Sequence, residues 1–217
     1  MSTHTLVKQK PEVFDFDIPD ERLNHYLKKS VVSVDTETRG LILRRDRLCL
    51  VQICDEDGLV TFVRFRDRNK LPYHGDSNLK KLFTAPQVMK LFHYARFDVS
   101  VMKYYLGIDI NPIWCTKIAS KLVRTYTDKH SLKYLVSELL EFELDKSDQT
   151  SDWAKDDLTD SQLDYAANDV RVLIPLQNQL HALLEREGRM SIAQRLFDTL
   201  PLVCELDQLG FHNIFEH

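Results

Sequence analysis

The stretch VVSVDTETRGL, residues 31–41, starts as an apolar strand and ends on two carboxylates, Asp35 and Glu37, one residue apart. Successive strand side chains point to opposite faces, so the two acids share a face and Thr36 looks the other way. Carboxylates converging where a strand runs out suit a cation; a solvated strand end is the competing account of the pair alone. The neighbouring sequence extends the sheet. Residues 48–54 and 59–65 are rich in Val, Leu, Ile and Phe, and EDG at 56–58 is a turn signal, which predicts a hairpin. VMKLFHY, 88–94, reads as a fourth strand after a short helix near 77–84. DIPDERLNHYLKK, ahead of the first strand, opens on Pro and acids and closes on Lys, the polarity of a capped helix. From residue 96 the pattern is mainly helical, over 97–106, 115–125, 131–141, 160–186 and 188–207. A hairpin beside further strands, with helices accumulating later, predicts an α/β fold in which α-helices cover a mixed β-sheet.

The 217 residues, 43% of them hydrophobic, fit one domain with a sizeable core better than two small ones. No repeat, linker or low-complexity stretch interrupts them. The N-terminal MSTHTLVKQKPEVFDF lacks a cationic segment followed by an apolar one, and no run approaches the roughly 18 uncharged residues of a membrane span. The expectation is a cytoplasmic protein without a membrane partner. Cys49, Cys54, Cys115 and Cys204 form no CxxC pair and no zinc-like spacing, which predicts reduced, buried thiols. A net charge of −4 argues against a protein that coats long nucleic acid through its overall field. It leaves room for local basic patches at LRRDR (43–47), RFRDR (64–68) and RTYTDKH (124–130), each with a solvated surface as the plainer account.

Two more acids stand in similar settings. HYARFD ends on Asp98 just after a predicted strand, and LDYAANDV places Tyr165 and Asp169 at i and i+4 on one helical face. Asp35, Glu37, Asp98 and Asp169, in that order, resemble the four acids of the DEDD exonuclease superfamily, and the tyrosine four residues before the last acid resembles its DEDDy branch. SDWAKDDLTDSQLDYAANDV is similar to the third-motif region of RNase D proteins. The histidine branch carries its His five before the last acid, where this chain has Asp164. The resemblance covers residues 31–185 and implies a ribonuclease H-like exonuclease fold, 3′-5′ exonuclease chemistry and two divalent metal ions, Mg²⁺ or Mn²⁺. Two such ions about 3.5–4 Å apart supply the hydroxide, neutralise the phosphate and stabilise the leaving oxygen. All-oxygen ligands agree with hard ions, and the eight histidines show no HExxH pattern. By the resemblance, Asp35 bridges both ions, Glu37 and Asp169 complete one site, and Asp98 supports the other, partly through water. Tyr165 then orients or deprotonates the attacking water. An unperturbed tyrosine titrates near 10, so it acts as a base only if its surroundings depress that value.

The same resemblance suggests substrate contacts. Leu41 occupies the place of a leucine that wedges between two bases, with plain core packing as the alternative, and Gly40 lets the backbone approach. His93 and Arg96 flank the second motif and touch phosphate or sugar, or serve the structure. Arg124, Tyr126, Lys129 and His130 form a basic, aromatic wall for the other end of the substrate. The size, DTET.GL and TSDWA resemble the nanoRNase C group, small DEDDy enzymes that clear dinucleotides and very short oligonucleotides and assemble into rings. Arg39 departs from it, since an apolar residue is expected there. The resemblance implies a single 3′-5′ exonuclease domain over 1–217, with its catalytic core at 31–185. It implies release of nucleoside 5′-monophosphates from short RNA, with DNA left open, and a homo-oligomer that is an octameric ring. The segment 187–217 is placed in subunit contacts through Leu206, Leu209, Phe211, Ile214 and Phe215, unless these pack on their own core. The alternative is an RNase D-like exonuclease that trims 3′ ends of longer structured RNA. A haloacid dehalogenase-type phosphatase does not fit, because the second acid is Glu and no matching lysine motif appears. A catalytically dead binding module does not fit either, because none of the four acids is missing.

Overall fold

The computed structural model describes residues 10–66, 71–145, 147–148, 151–155 and 157–214. The chain runs β1 (Glu12–Asp15), α1 (Asp20–Tyr26), β2 (Val31–Thr38), β3 (Leu48–Asp55), β4 (Val60–Arg64), α2 (Asn78–Thr84), β5 (Met89–Phe92) and α3 (Ala95–Leu106). It continues through β6 (Ile113–Cys115), α4 (Thr116–Val123), α5 (Leu132–Leu140), α6 (Asp160–Arg171), α7 (Leu173–Arg186) and α8 (Met190–Leu209). Among the described residues the sheet has the order β1-β4-β3-β2-β5-β6. The predicted hairpin is β3–β4, antiparallel around the EDG turn. β2 pairs antiparallel with β3 and parallel with β5, and β5 pairs parallel with β6, so the sheet is mixed, as expected.

Every residue of β3 is buried because helices cover both faces of the sheet. Val51 and Ile53 belong to the larger core with α3, α7 and α8. Leu50 and Cys54 face a smaller one with Trp153, Tyr165, Ala166 and Val170. β2 thus carries its terminal acids between two helical layers. All four cysteines are buried and free. No described helix is long and apolar enough to cross a membrane.

Three features depart from the expectations. β1 and β6 are strands that the sequence does not announce, since four and three residues carry too little periodicity. The helix expected over 160–186 is two, meeting at Val172. Pro175 supplies the reason, because it has no N–H for the Arg171 carbonyl and its ring crowds that oxygen. α3 and α8 end where Gly107 and Gly210 adopt φ of 62° and 89°, left-handed conformations that cost glycine little.

Candidate active site

Two elements set the inner part of the site. Ser33, on the same face of β2 as Asp35, places its hydroxyl 2.8 Å from the Val170 carbonyl and 3.0 Å from that of Cys54. That contact docks α6 on β2 and puts Asp169, the residue before Val170, beside the strand's acids. α6 begins with a capping box between Thr159 and Gln162. Gln162 also donates to Ser151 Oγ at 3.0 Å, which fixes the preceding SDW segment. Trp153 of that segment lies over Tyr165, ring centroids 5.9 Å apart. Burial is the largest influence on the Tyr165 phenol and pushes its pKa up. The charge of Asp169, that of Glu37, a hydrogen bond to Asp169 and the charge of Asp35 all add to the rise. The structure therefore brings Tyr165, Asp169, Glu37 and Asp35 together, and the carboxylate charges add to the rise in the phenol pKa.

Asp98 is placed differently. It is buried in the first turn of α3 and accepts from Thr36 Oγ1 at 2.7 Å, on the strand face opposite Asp35 and Glu37. Burial pushes its carboxyl up to about 7 against the downward pull of the Thr36 hydroxyl and main-chain N–H groups. The donor chemistry of these residues fits a hard divalent ion, since the charges acting most on the phenol are all carboxylates. Gln52, paired across the ladder with Asp35, adds a buried amide whose nitrogen and oxygen have no hydrogen-bond partner among the described residues. Among the described residues, no three Asp, Glu, His or Cys side chains converge closely enough, as they stand, to hold one ion.

The outer residues divide. Leu41 is 82% exposed, which removes the core alternative. It stands on a loop organised by Asp46, whose carboxylate accepts from the Ile42 N–H at 2.9 Å and from Arg45 at 2.8 Å through two nitrogens. A Cβ on Gly40 would lie 2.4 Å from Asp46 Oδ2, so this glycine makes room for the loop's own carboxylate. Arg39 is exposed, its N–H bonded to the Arg47 carbonyl. His93 is half-buried with Nδ1 2.8 Å from Thr116 Oγ1, and that hydroxyl also donates to the Phe92 carbonyl. Arg96 makes two 2.6 Å bonds to the Asp207 carboxylate, so its guanidinium fastens the end of α8 to α3.

The proposed basic wall is corrected at Arg124. Its side chain is only 1% exposed, neutralised by Glu138, and donates to the Lys129 carbonyl at 2.6 Å and Ser120 Oγ at 3.2 Å. A guanidinium spent on its own loop has nothing left for phosphate. Tyr126 is exposed with its hydroxyl on Glu138, Lys129 lies over the Tyr134 ring, and His130 bonds Ser120.

Sequence reasoning named Leu41, Arg96 and Leu209 but not the surface they share. A cavity of about 790 Å³ is lined by Leu41–Arg44, by Tyr94, Arg96, Phe97, Ser100 and Val101, and by Asp207–Gly210 with His212. None of the four acids lines it, but both of its main walls continue from segments that carry them. Arg44 donates to the Gln208 carbonyl at 2.6 Å, which ties the Leu41 loop to the C-terminal segment. Tyr94 lies inside HYARFD, and Asp207 and His212 lie inside LDQLGFHNIFEH, but neither stretch announces by itself that these side chains share a cavity.

Residues 12–185 match a family described as 3′-5′ exonuclease, and the chain belongs to that family. Within it, the chain is similar to Brucella melitensis NrnC. The Mg²⁺-bound form of that protein is 40% identical with a TM-score of 0.85, covering 94% of this chain and 96% of that one. The form bound to pGG is 42% identical with a TM-score of 0.85, covering 93% and 95%. Ribonuclease D of Gluconacetobacter diazotrophicus is 32% identical over 163 residues, 75% of this chain and 40% of that protein. DNA polymerase I of Aquifex aeolicus is 35% identical over 175 residues, 79% of this chain and 28% of that protein. The chain thus spans less than half the length of these two relatives.

Proposed function

We propose that this chain is a metal-dependent 3′-5′ exoribonuclease that hydrolyses dinucleotides and very short oligonucleotides to nucleoside 5′-monophosphates. The observation that carries the length preference is the cavity between the Leu41 loop and the chain's own C-terminal segment, two walls that Arg44 ties together. A long strand would run against the end of α8. The similarity to a protein solved with pGG supports the same reading. Two Mg²⁺ or Mn²⁺ ions, when bound, supply a nucleophilic hydroxide and neutralise charge on the phosphate and leaving oxygen. Asp35, Glu37, Asp98 and Asp169 would hold them, with Thr36 fixing the Asp98 carboxylate. Tyr165, hydrogen-bonded to Asp169, orients the attacking water. Leu41 parts the two bases.

The working form is a homo-oligomeric ring, an octamer in the cytoplasm. Leu209, Phe211 and Ile214 support this because they are exposed, while Leu206 is half-buried and Phe215 lies outside the described residues. The ribonuclease D relatives favour a second reading, 3′ trimming of longer RNA. One time course with end-labelled RNAs of two to about twenty nucleotides, together with light scattering, separates the two. Fastest turnover of the dinucleotide by an oligomer is expected; a monomer whose rate rises with length would establish the second reading.

A further inference from the structure

Tyr94 is the least expected side chain in the cavity. It precedes α3 with φ 69° and ψ 46°, a left-handed conformation that aromatic residues rarely adopt. Backbone held in that region invites a search for a role. The ring is 47% exposed and lines the same cavity as Leu41. Its orientation is set from α4, because Lys117 Nζ lies 3.9 Å from the ring centroid. A second tie runs parallel to the first, from His93 to Thr116, so two consecutive residues of the turn are anchored to two consecutive residues of α4. Of the two arginines that line the cavity, Arg96 is neutralised by a carboxylate and the exposed Arg44, among the described residues, is not. Arg96 is bound through two nitrogens by Asp207, and Arg44 donates to Gln208. A pocket that presents an exposed ring beside an exposed leucine offers apolar faces that suit a flat group such as a base.

We infer that Tyr94 is a stacking platform for one of the two bases parted by Leu41, and that Lys117 is a positioning residue that holds its ring. The inference rests on the exonuclease reading above and adds a determinant of base binding to it. Stacking on an aromatic side chain tolerates any base and favours the larger purines.

The test uses 2-aminopurine, placed at either position of a dinucleotide or at either of the last two positions of a ten-nucleotide RNA. Binding is followed by its fluorescence in EDTA, and hydrolysis separately in Mg²⁺. Tyr94→Asn is the main variant, since asparagine accepts the left-handed backbone and removes the ring without unfolding the turn. Loss of one stacked base should raise Kd and KM roughly 10- to 100-fold with kcat within about threefold, and abolish the quenching seen at one position. Tyr94→Phe should stay within about threefold of the parent, and Lys117→Met should weaken purine dinucleotides more than pyrimidine ones. Unchanged affinity and quenching in Tyr94→Asn would overturn the platform, as would a fall in kcat at constant KM. If the parent binds only the ten-nucleotide RNA and Tyr94→Asn weakens it, the platform stands while the short-substrate reading falls.

Discussion

The inner acids and the outer cavity are neighbours held by different forces. Asp35 and Glu37 sit on a strand paired on both sides, Asp169 on a helix docked by Ser33, and Asp98 on a helix end beneath Thr36. These positions are fixed by backbone ladders and core packing. The cavity is fixed near the surface by two charge pairs, Arg45 with Asp46 and Arg96 with Asp207, and by a hydrogen bond from Arg44 to the Gln208 carbonyl. Partly exposed pairs contribute little stability and weaken with salt, whereas a packed ladder does not. Chemistry should therefore depend on the inner residues and be robust, while selectivity should depend on the cavity and be adjustable.

The largest expected effect lies on the inner side. Asp35→Asn keeps the shape of a half-buried side chain and removes its charge. If its share of the metal-centred stabilisation is worth ~4 kcal/mol, the rate should fall roughly a thousandfold with an unchanged circular dichroism spectrum. Activity within tenfold of the parent would break the division between chemistry and selectivity. Tyr165→Phe comes next. Removing the hydroxyl that donates to Asp169 and orients water should lower kcat about a hundredfold or more, with little change in KM. A rise in KM with kcat preserved would move Tyr165 to the substrate wall.

The two regions also differ in how much of them is legible in the sequence. The inner acids follow from alternation in VVSVDTET and from i, i+4 spacing in LDYAANDV, because periodicity places side chains on faces whatever the tertiary details. The sheet was legible for the same reason, except for β1 and β6, which are too short to show a period. The split at Val172 was available in Pro175 but outweighed by the helical pattern on either side. The cavity depends on partners far apart in the chain, Arg96 with Asp207 and Arg44 with Gln208, which no local pattern reports. Arg124 shows the cost: RTYTDKH reads as a basic surface, and only the fold reveals that Glu138 neutralises it.

That arginine offers a prediction of middle size. Glu138→Ala strands a buried guanidinium without a carboxylate partner, and should cost about 1–3 kcal/mol in urea unfolding. Arg124→Met leaves a half-exposed carboxylate that water can solvate, so its cost should be smaller. Dinucleotide KM should hardly change in either variant. A large KM increase in Arg124→Met at unchanged stability would restore the basic wall and blur the contrast between spent and available charges.

The smallest stability effect is expected at Asp207. Its carboxyl is held below its ordinary range chiefly by the hydrogen bonds from Arg96, with His212 adding to the shift. A depressed carboxylate pKa means that the pair contributes above the unfolded value, about 4, and is lost as pH falls through the lower folded value. The latch is therefore intact throughout neutral pH, and length selectivity should be flat between about pH 6 and 8. Asp207→Asn should change unfolding free energy by no more than ~1 kcal/mol, as for other partly exposed pairs. Its functional effect is selective. The substitution frees a guanidinium inside the cavity and loosens the end of α8, so KM for a ten-nucleotide RNA should fall severalfold, while dinucleotide turnover changes much less. Raising ionic strength in the parent weakens the same pair but also screens RNA phosphates, so the two perturbations should differ in sign for long RNA. If Asp207→Asn leaves the ratio of long to short turnover where it was, the C-terminal segment is not what limits substrate length.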